Sequence, residues 1–178
     1  MAKDYSNENE LVKACIEQDT HAQFALFEKY KVAMFNLIFR ICNDYDSSND
    51  QLQEGFIEVF KNIKNFRRES TLGAWIKTIM IRKALKASRS ENTFEEVPDQ
   101  IEACDLMIDQ WIDAQMLDLA IRNLPGSSRA VFVLFEIEGY SHREIAQMLK
   151  VSEGTSKSQL HYAKKCLQKS LSKNYYSK

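Results

Sequence analysis

Residues Ser141 to Leu171, SHREIAQMLKVSEGTSKSQLHYAKKCLQKSL, decide the fold. They hold two helix starts in close succession. Ser141, followed three residues later by Glu144, is a capping box. Ser152, with Thr155 in the next turn, is a second start. Ile145, Met148 and Leu149 share one face of a short helix, and Leu160, Ala163 and Leu167 share one face of a longer one. Only Lys150 to Ser152 separates them. A short helix, a tight turn and a longer helix with basic and small polar residues outside make a helix-turn-helix. Its second helix can enter a major groove with its N-terminal residues towards base edges. A plain helical hairpin in a bundle core shows the same pattern, so this stretch alone leaves both readings open.

The whole chain has 178 residues, enough for one or two small domains. Five glycines and two prolines are too few for the many turns of a β-rich fold, so the composition predicts an all-α protein. No apolar run approaches the length of a membrane span, and the first residues lack a basic-then-apolar leader, so a cytoplasmic location is expected. Cys15, Cys42, Cys104 and Cys166 are scattered without a Cys-x-x-Cys pair and read as reduced thiols.

Net charge is −1, but the charges are segregated. Residues 1–60 carry 5 basic and 11 acidic side chains, and residues 61–90 carry 9 basic and 1 acidic. Residues 91–118 carry 9 acidic and none basic, and residues 119–178 carry 10 basic and 4 acidic. Two basic blocks divided by an acidic one suggest two contacts on one polyanion.

Apolar spacing then divides the chain. A short helix is expected over Glu8 to Ile16, and a long one over Thr20 to Asn43, with Phe24, Phe27, Tyr30, Met34, Leu37, Ile38 and Ile41 as its core stripe. Ser48 is expected to cap a third helix, Asn49 to Asn62, with Leu52, Phe56, Val59 and Phe60 inside. Asp50, Gln53, Glu54 and Glu58 would form an acidic outer surface suited to a basic partner. Ser70 or Thr71 would cap a fourth helix reaching about Ser88. Leu72, Trp75, Ile76, Ile79, Met80 and Leu85 are its expected buried side, and Lys77, Arg82, Lys83, Lys86 and Arg89 its polar side. With Arg67 and Arg68 this makes a basic surface flanked by aromatics, which suits phosphates and unpaired bases. The acidic, Pro98-containing segment 90–105 reads as a linker. Helices from about Leu106 to Asn123 and from Arg129 to Glu138 lead into the opening stretch. The expected organisation is therefore a domain over 1–89, a linker over 90–105 and a domain over 106–178.

No catalytic arrangement is present: there is no phosphate-cradling glycine loop and no nucleophile elbow. His21, His142 and His161 lie outside any metal-ligand spacing with the cysteines, and no cofactor is expected. Four motifs then carry a resemblance. Asp50-Gln-Leu-Gln-Glu-Gly-Phe is similar to an Asp-Leu-x-Gln-Glu-x-Phe segment, and Phe66-Arg-Arg-Glu-Ser-Thr-Leu-Gly-Ala-Trp-Ile to Phe-Arg-x-x-Ser-x-x-x-x-Trp-Leu. Leu124-Pro, Arg129-x-Val-Phe-x-Leu and Glu138-Gly-Tyr-Ser-x-x-Glu-Ile-Ala follow in order, then Glu153-Gly-Thr-Ser-Lys-Ser-Gln-Leu-His-Tyr-Ala-Lys-Lys. Over residues 8 to 172 the chain resembles bacterial RNA polymerase sigma factors of the extracytoplasmic-function subfamily.

The resemblance implies a non-enzymatic initiation factor that binds core polymerase, recognises two promoter elements and helps open DNA. It matches Asp50, Gln53, Glu54 and Phe56 to polymerase docking. Arg67, Arg68, Ser70 and Thr71 match a loop that captures a flipped base of the minus-ten element, beside Trp75, Lys77, Arg82, Lys83 and Lys86. Gly154, Thr155, Lys157, Ser158, Gln159 and His161 match the groove-facing part of a recognition helix for the minus-thirty-five element, with Arg143 and Lys164 on flanking phosphates. Arg82 and Lys86 stand where the family often has Asn and Asp. Gln159 replaces a frequent Arg and would favour adenine. Lys150 takes the place of a common glycine or asparagine and must accept a left-handed backbone. An anti-sigma factor, often membrane-anchored in this family, is an implied partner. A stand-alone operator-binding regulator and a DNA-free helical interaction protein are the competing readings. The acidic third helix and the aromatic-basic loop speak against the first.

Overall fold

A computed structural model describes residues 7–91 and 114–175, and every regular element among them is helical. The helices are α1 (Glu8–Ile16), α2 (Thr20–Cys42), α3 (Tyr45–Asn62) with a 3₁₀ turn Ile63–Asn65, α4 (Leu72–Glu91), α5 (Ala114–Arg122), α6 (Gly126–Phe132) with a π-helical turn Val133–Ile137, α7 (His142–Leu149) and α8 (Glu153–Tyr175). The chain divides into two compact units, Met1–Ala87 and Ser88–Lys178. Residues 92–113, which include most of the expected linker and Met107, Trp111 and Ile112, lie outside the described residues. No helix among the described residues is long and apolar enough to cross a membrane.

In the first unit α2 packs between α1 and α3. Asp19 caps α2 by accepting from the His21 and Ala22 N–H groups, and Asn43 closes it in a left-handed turn, bonded to the Phe39 carbonyl. The core side of α2 is Ala22, Leu26, Met34, Leu37, Ile38 and Ile41. Complete burial of a leucine or isoleucine contributes about 1.5–3 kcal/mol. The expected stripe was partly out of register. Phe24, placed in that stripe, is 65% exposed, and so is Val32 outside it at 64%, so α2 also carries apolar residues on its solvent side. The third helix starts earlier than expected. Asp44 accepts from the Ser47 N–H, and Ser48 is buried inside the first turn, its hydroxyl donating to the Asp44 carbonyl. Cys15 and Cys42 are buried thiols outside any disulfide, the Cys42 Sγ donating to the Ala84 carbonyl, and Cys166 is a half-buried thiol, likewise not in a disulfide. Burial, then the Asp19 charge, pushes the Cys15 thiol up to about 11, so it stays protonated and inert at neutral pH.

In the second unit α8 is the spine, packed on α5, α6 and α7. The capping box forms: the Ser141 N–H donates to Glu144 at 2.8 Å, and Ser141 Oγ accepts from the Glu144 N–H at 3.3 Å. The Ser141 hydroxyl, then its backbone, holds the Glu144 carboxyl below the usual carboxylate range. Gly139, at φ +76°, ends the π turn. Between α7 and α8, Lys150 adopts φ 52° and ψ 46°, the left-handed geometry the turn demands, and its N–H and that of Val151 bond back to α7 carbonyls. A residue with a Cβ pays for this conformation. Lys150→Gly is therefore expected to stabilise the second unit by about 0.5–1 kcal/mol in urea melts, despite glycine's entropy. A loss of stability would show that the lysine side chain makes a compensating contact.

Candidate nucleic-acid and partner interfaces

Successive α-helical residues turn about 100°, so each face can be followed round the axis. On α3, Asp50, Gln53 and Glu54 lie on one exposed arc. Ile57, 53% exposed, sits in the middle of it, an apolar residue on an otherwise polar face. Sequence reading passed over Ile57. Its signal was an apolar residue three and four positions beyond Glu54 and Gln53, out of phase with Leu52, Phe56 and Val59. Phe56 does not belong to this face. It is buried on the opposite side, edge-on to the Phe27 ring at 4.8 Å, and serves the core.

The loop before α4 is set by aromatic packing. The Phe66 and Trp75 rings lie 5.5 Å apart. Between them Arg67, Arg68, Ser70 and Thr71 are exposed, and Arg68 holds a left-handed φ of 61°. Thr71 Oγ1 accepts from the Ala74 N–H at 3.2 Å and caps α4.

Of the five lysines and arginines expected together on α4, the side chain of Arg89 lies outside those described, and the other four do not share a face. Arg82 and Lys86 are exposed and fall within about 40° of half-buried Trp75. Lys77 is half-buried on the far side of the axis. Lys83 is turned towards α3, where its Nζ lies 3.1 Å from Glu58 and 3.4 Å from Glu54. The Glu58 carboxylate, assisted by Glu54, raises the Lys83 ammonium above lysine's ordinary value against the opposing effect of burial. The wide burial of α4 explains the split. Leu72, Ile76, Ile79, Met80, Ile81, Ala84 and Leu85 are all buried, which leaves a narrow solvent arc.

On α8, Gly154, Lys157, Ser158, His161 and Lys164 are exposed within about 120° of arc. Thr155 is half-buried beside them, its N–H donating to Ser152 Oγ at 2.9 Å to cap the helix. Arg143 is exposed on α7. Lys164 is paired with Glu136 at 2.7 Å. Gln159 contradicts its expected place. It is 3% exposed, on the inner side of α8, and its Oε1 accepts from the hydroxyls of Ser127 and Ser128 on α6. One turn earlier Ser156, also buried, meets His142 Nδ1 at 2.9 Å, and the His142 ring stacks on Phe135 at 4.4 Å. Gln159 is therefore an anchor of α8, not a reader of a base edge. Arg129, buried behind α6, donates to the Leu124 carbonyl at 2.7 Å. Among the described residues no group of His, Cys, Asp and Glu could hold a metal ion.

Known proteins share both units. Residues 26–93 match the family Sigma-70 region 2, and residues 114–167 match the family Sigma-70, region 4. The chain is 26% identical to the RNA polymerase sigma-H factor of Pseudomonas aeruginosa, over 92% of this chain and 93% of that protein. It is 29% identical to the ECF RNA polymerase sigma factor SigE of Mycolicibacterium smegmatis, over 84% of this chain and 61% of that relative, less than two thirds of its length. The fold is similar to CnrH, solved in complex with the cytosolic domain of CnrY, with TM-score 0.54, 19% identity and coverage of 93% and 97%. It is also similar to the sigma factor RpoE from Bartonella quintana, solved with the anti-sigma factor NepR, with TM-score 0.52, 21% identity and coverage of 83% and 97%.

The burial of Gln159 yields a direct test. Gln159→Ala leaves the Ser127 and Ser128 hydroxyls without their acceptor and should destabilise the protein by about 1–3 kcal/mol in urea unfolding. A variant as stable as the parent would put the side chain back on the surface.

Proposed function

The chain belongs to the RNA polymerase sigma factors of the extracytoplasmic-function subfamily, and from that premise we propose how its residues divide the work. It is a non-enzymatic transcription initiation factor that binds core polymerase and recognises promoter elements. In the proposed division, residues 1–89 dock on polymerase and hold the minus-ten element, residues 90–105 join the domains, and residues 106–178 read the minus-thirty-five element.

One observation carries this reading: α3 presents an acidic face centred on Ile57, and the loop and α4 beside it present an aromatic-basic one. A duplex operator reader needs neither. The α3 face, Asp50, Gln53 and Glu54 around Ile57, suits a partner that offers cations about an apolar pocket. Arg67, Arg68, Arg82 and Lys86 are the phosphate-binding charges, while Ser70, Thr71 and the Phe66–Trp75 pair offer hydrogen bonds and ring faces to an unpaired base. On α8, Lys157, Ser158 and His161 are the groove-facing residues, the exposed Gly154 leaves room for close backbone approach, Thr155 supports the first turn, and Arg143 and Lys164 flank them on phosphates. Opening of DNA belongs to the first domain and placement on the promoter to the second. Core polymerase and promoter DNA put this work in the cytoplasm. The complexes of the structural relatives, one with the anti-sigma factor NepR, support an anti-sigma protein as a further partner of this chain.

Tagged protein should retain core polymerase in a pull-down, and failure to do so refutes the docking assignment. Ile57→Asp should weaken that capture without unfolding the chain, since Ile57 is on the surface. Lys157→Ala should lower promoter-specific transcription about fivefold or more, the value of one base-edge contact, with polymerase binding unchanged. Unchanged promoter use would remove Lys157 from the reading face.

A further inference from the structure

α3 and α4 cross where α3 has no side chain. A Cβ on Gly55 would stand 2.3 Å from the Met80 sulfur, and Met80 is fully buried. The glycine is the socket for the methionine. Glu54 and Glu58 flank that socket along α3, and Lys83 lies one turn beyond Met80 on α4. Its Nζ is held 3.1 Å from Glu58 and 3.4 Å from Glu54. The lysine side chain is 21% exposed, whereas Arg82 and Lys86 are open to solvent. Glu54 and Glu58 are four residues apart, a like-charge spacing that destabilises a helix unless a cation sits between them. Withdrawing Lys83 to a DNA phosphate would restore that repulsion directly over the joint.

We propose that Lys83 is a positioning residue and not a phosphate contact: clamped by Glu54 and Glu58 over the Gly55–Met80 socket, it locks α4 to α3, so that the polymerase-docking face and the minus-ten surface form one body. The proposal rests on the sigma-factor reading above. Force or displacement applied to α3 by polymerase then reaches Trp75, Arg82 and Lys86 without loss in a sliding interface. Glu54 has a double duty, since it belongs to the docking face and to the clamp.

A charge exchange separates this from DNA contact. Lys83→Glu, Glu58→Lys and the double exchange are each reconstituted with core polymerase, and opened promoter DNA is read by permanganate reactivity. Lys83→Glu alone should lower opening about fivefold or more, because it sets three carboxylates together. The double exchange keeps the charges of the triad and should recover to within about threefold of the parent. Recovery supports the clamp, because a carboxylate at position 83 cannot bind a phosphate. A double exchange as defective as Lys83→Glu overturns the proposal, and so does a Lys83→Glu variant that opens DNA normally. The same four proteins are unfolded in urea without polymerase. Non-additive losses support the clamp and additive ones overturn it, even where the parent holoenzyme opens no promoter, a result that would count against the sigma-factor reading itself.

Discussion

The close approach of Met80 to Gly55 sets how α3 and α4 of the first unit meet. Without a Cβ at position 55, α4 seats its methionine directly against α3. The rest of each helix is then committed. Leu52, Phe56 and Val59 of α3 must face the core, which leaves Asp50, Gln53, Glu54 and Ile57 outside. α4 is buried over most of its circumference, so only a narrow arc with Arg82 and Lys86 remains for a ligand. Close helix approach thus leaves two exposed surfaces at once, the two to which function is proposed, and limits the size of the second. Packed interiors tolerate little extra volume, so the glycine serves close packing against Met80 and not turn chemistry.

The second unit solves a different problem. A helix that lies in a groove must be held from behind, and apolar contacts alone permit sliding and rotation. Leu160, Ala163 and Leu167 supply the burial. Gln159 and Ser156 are themselves buried and add direction, because each bonds to a different helix, Gln159 to Ser127 and Ser128 on α6 and Ser156 to His142 on α7. Buried hydrogen bonds are costly to misplace, so they select one rotation of α8 about its axis. That rotation puts Lys157, Ser158 and His161 outward. On the proposed reading, specificity at that surface rests on polar residues that touch no ligand.

Much of this was legible in the residues. The spacing of apolar side chains located α1 and α3 to within a few residues and gave the all-α class. The Ser141–Glu144 box followed from local chemistry, which depends only on neighbours in sequence, whereas the left-handed Lys150 was implied by the family resemblance. What escaped depends on neighbours in space. α2 carries apolar residues on its solvent side as well, and periodicity alone cannot say which ones meet the core, so Phe24 was placed inside and Leu26 missed. Asp44 and Ser48 are both good caps, and the choice between them is made by where α2 ends. Gln159 looked like a surface residue because its acceptor role is filled by serines some thirty positions away. Lys83 looked like its neighbours Arg82 and Lys86 until α3 supplied two carboxylates.

The charge pattern has its own logic. A net charge of −1 is unusual for a chain that holds DNA, since sequence-independent affinity grows with basic charge. At physiological ionic strength, however, fields between exposed charges fade over about 8 Å. A ligand therefore responds to the local face and not to the sum. Segregating acidic and basic residues onto separate arcs is what the proposed division needs: a cationic partner on α3 and a polyanion on the loop and α4. The seam between such arcs is where opposite charges of the protein itself come within reach, and there one lysine and two glutamates neutralise each other. Pairing at the seam takes Lys83 out of the basic face. The two surfaces thereby stay distinct in sign while their helices are held together.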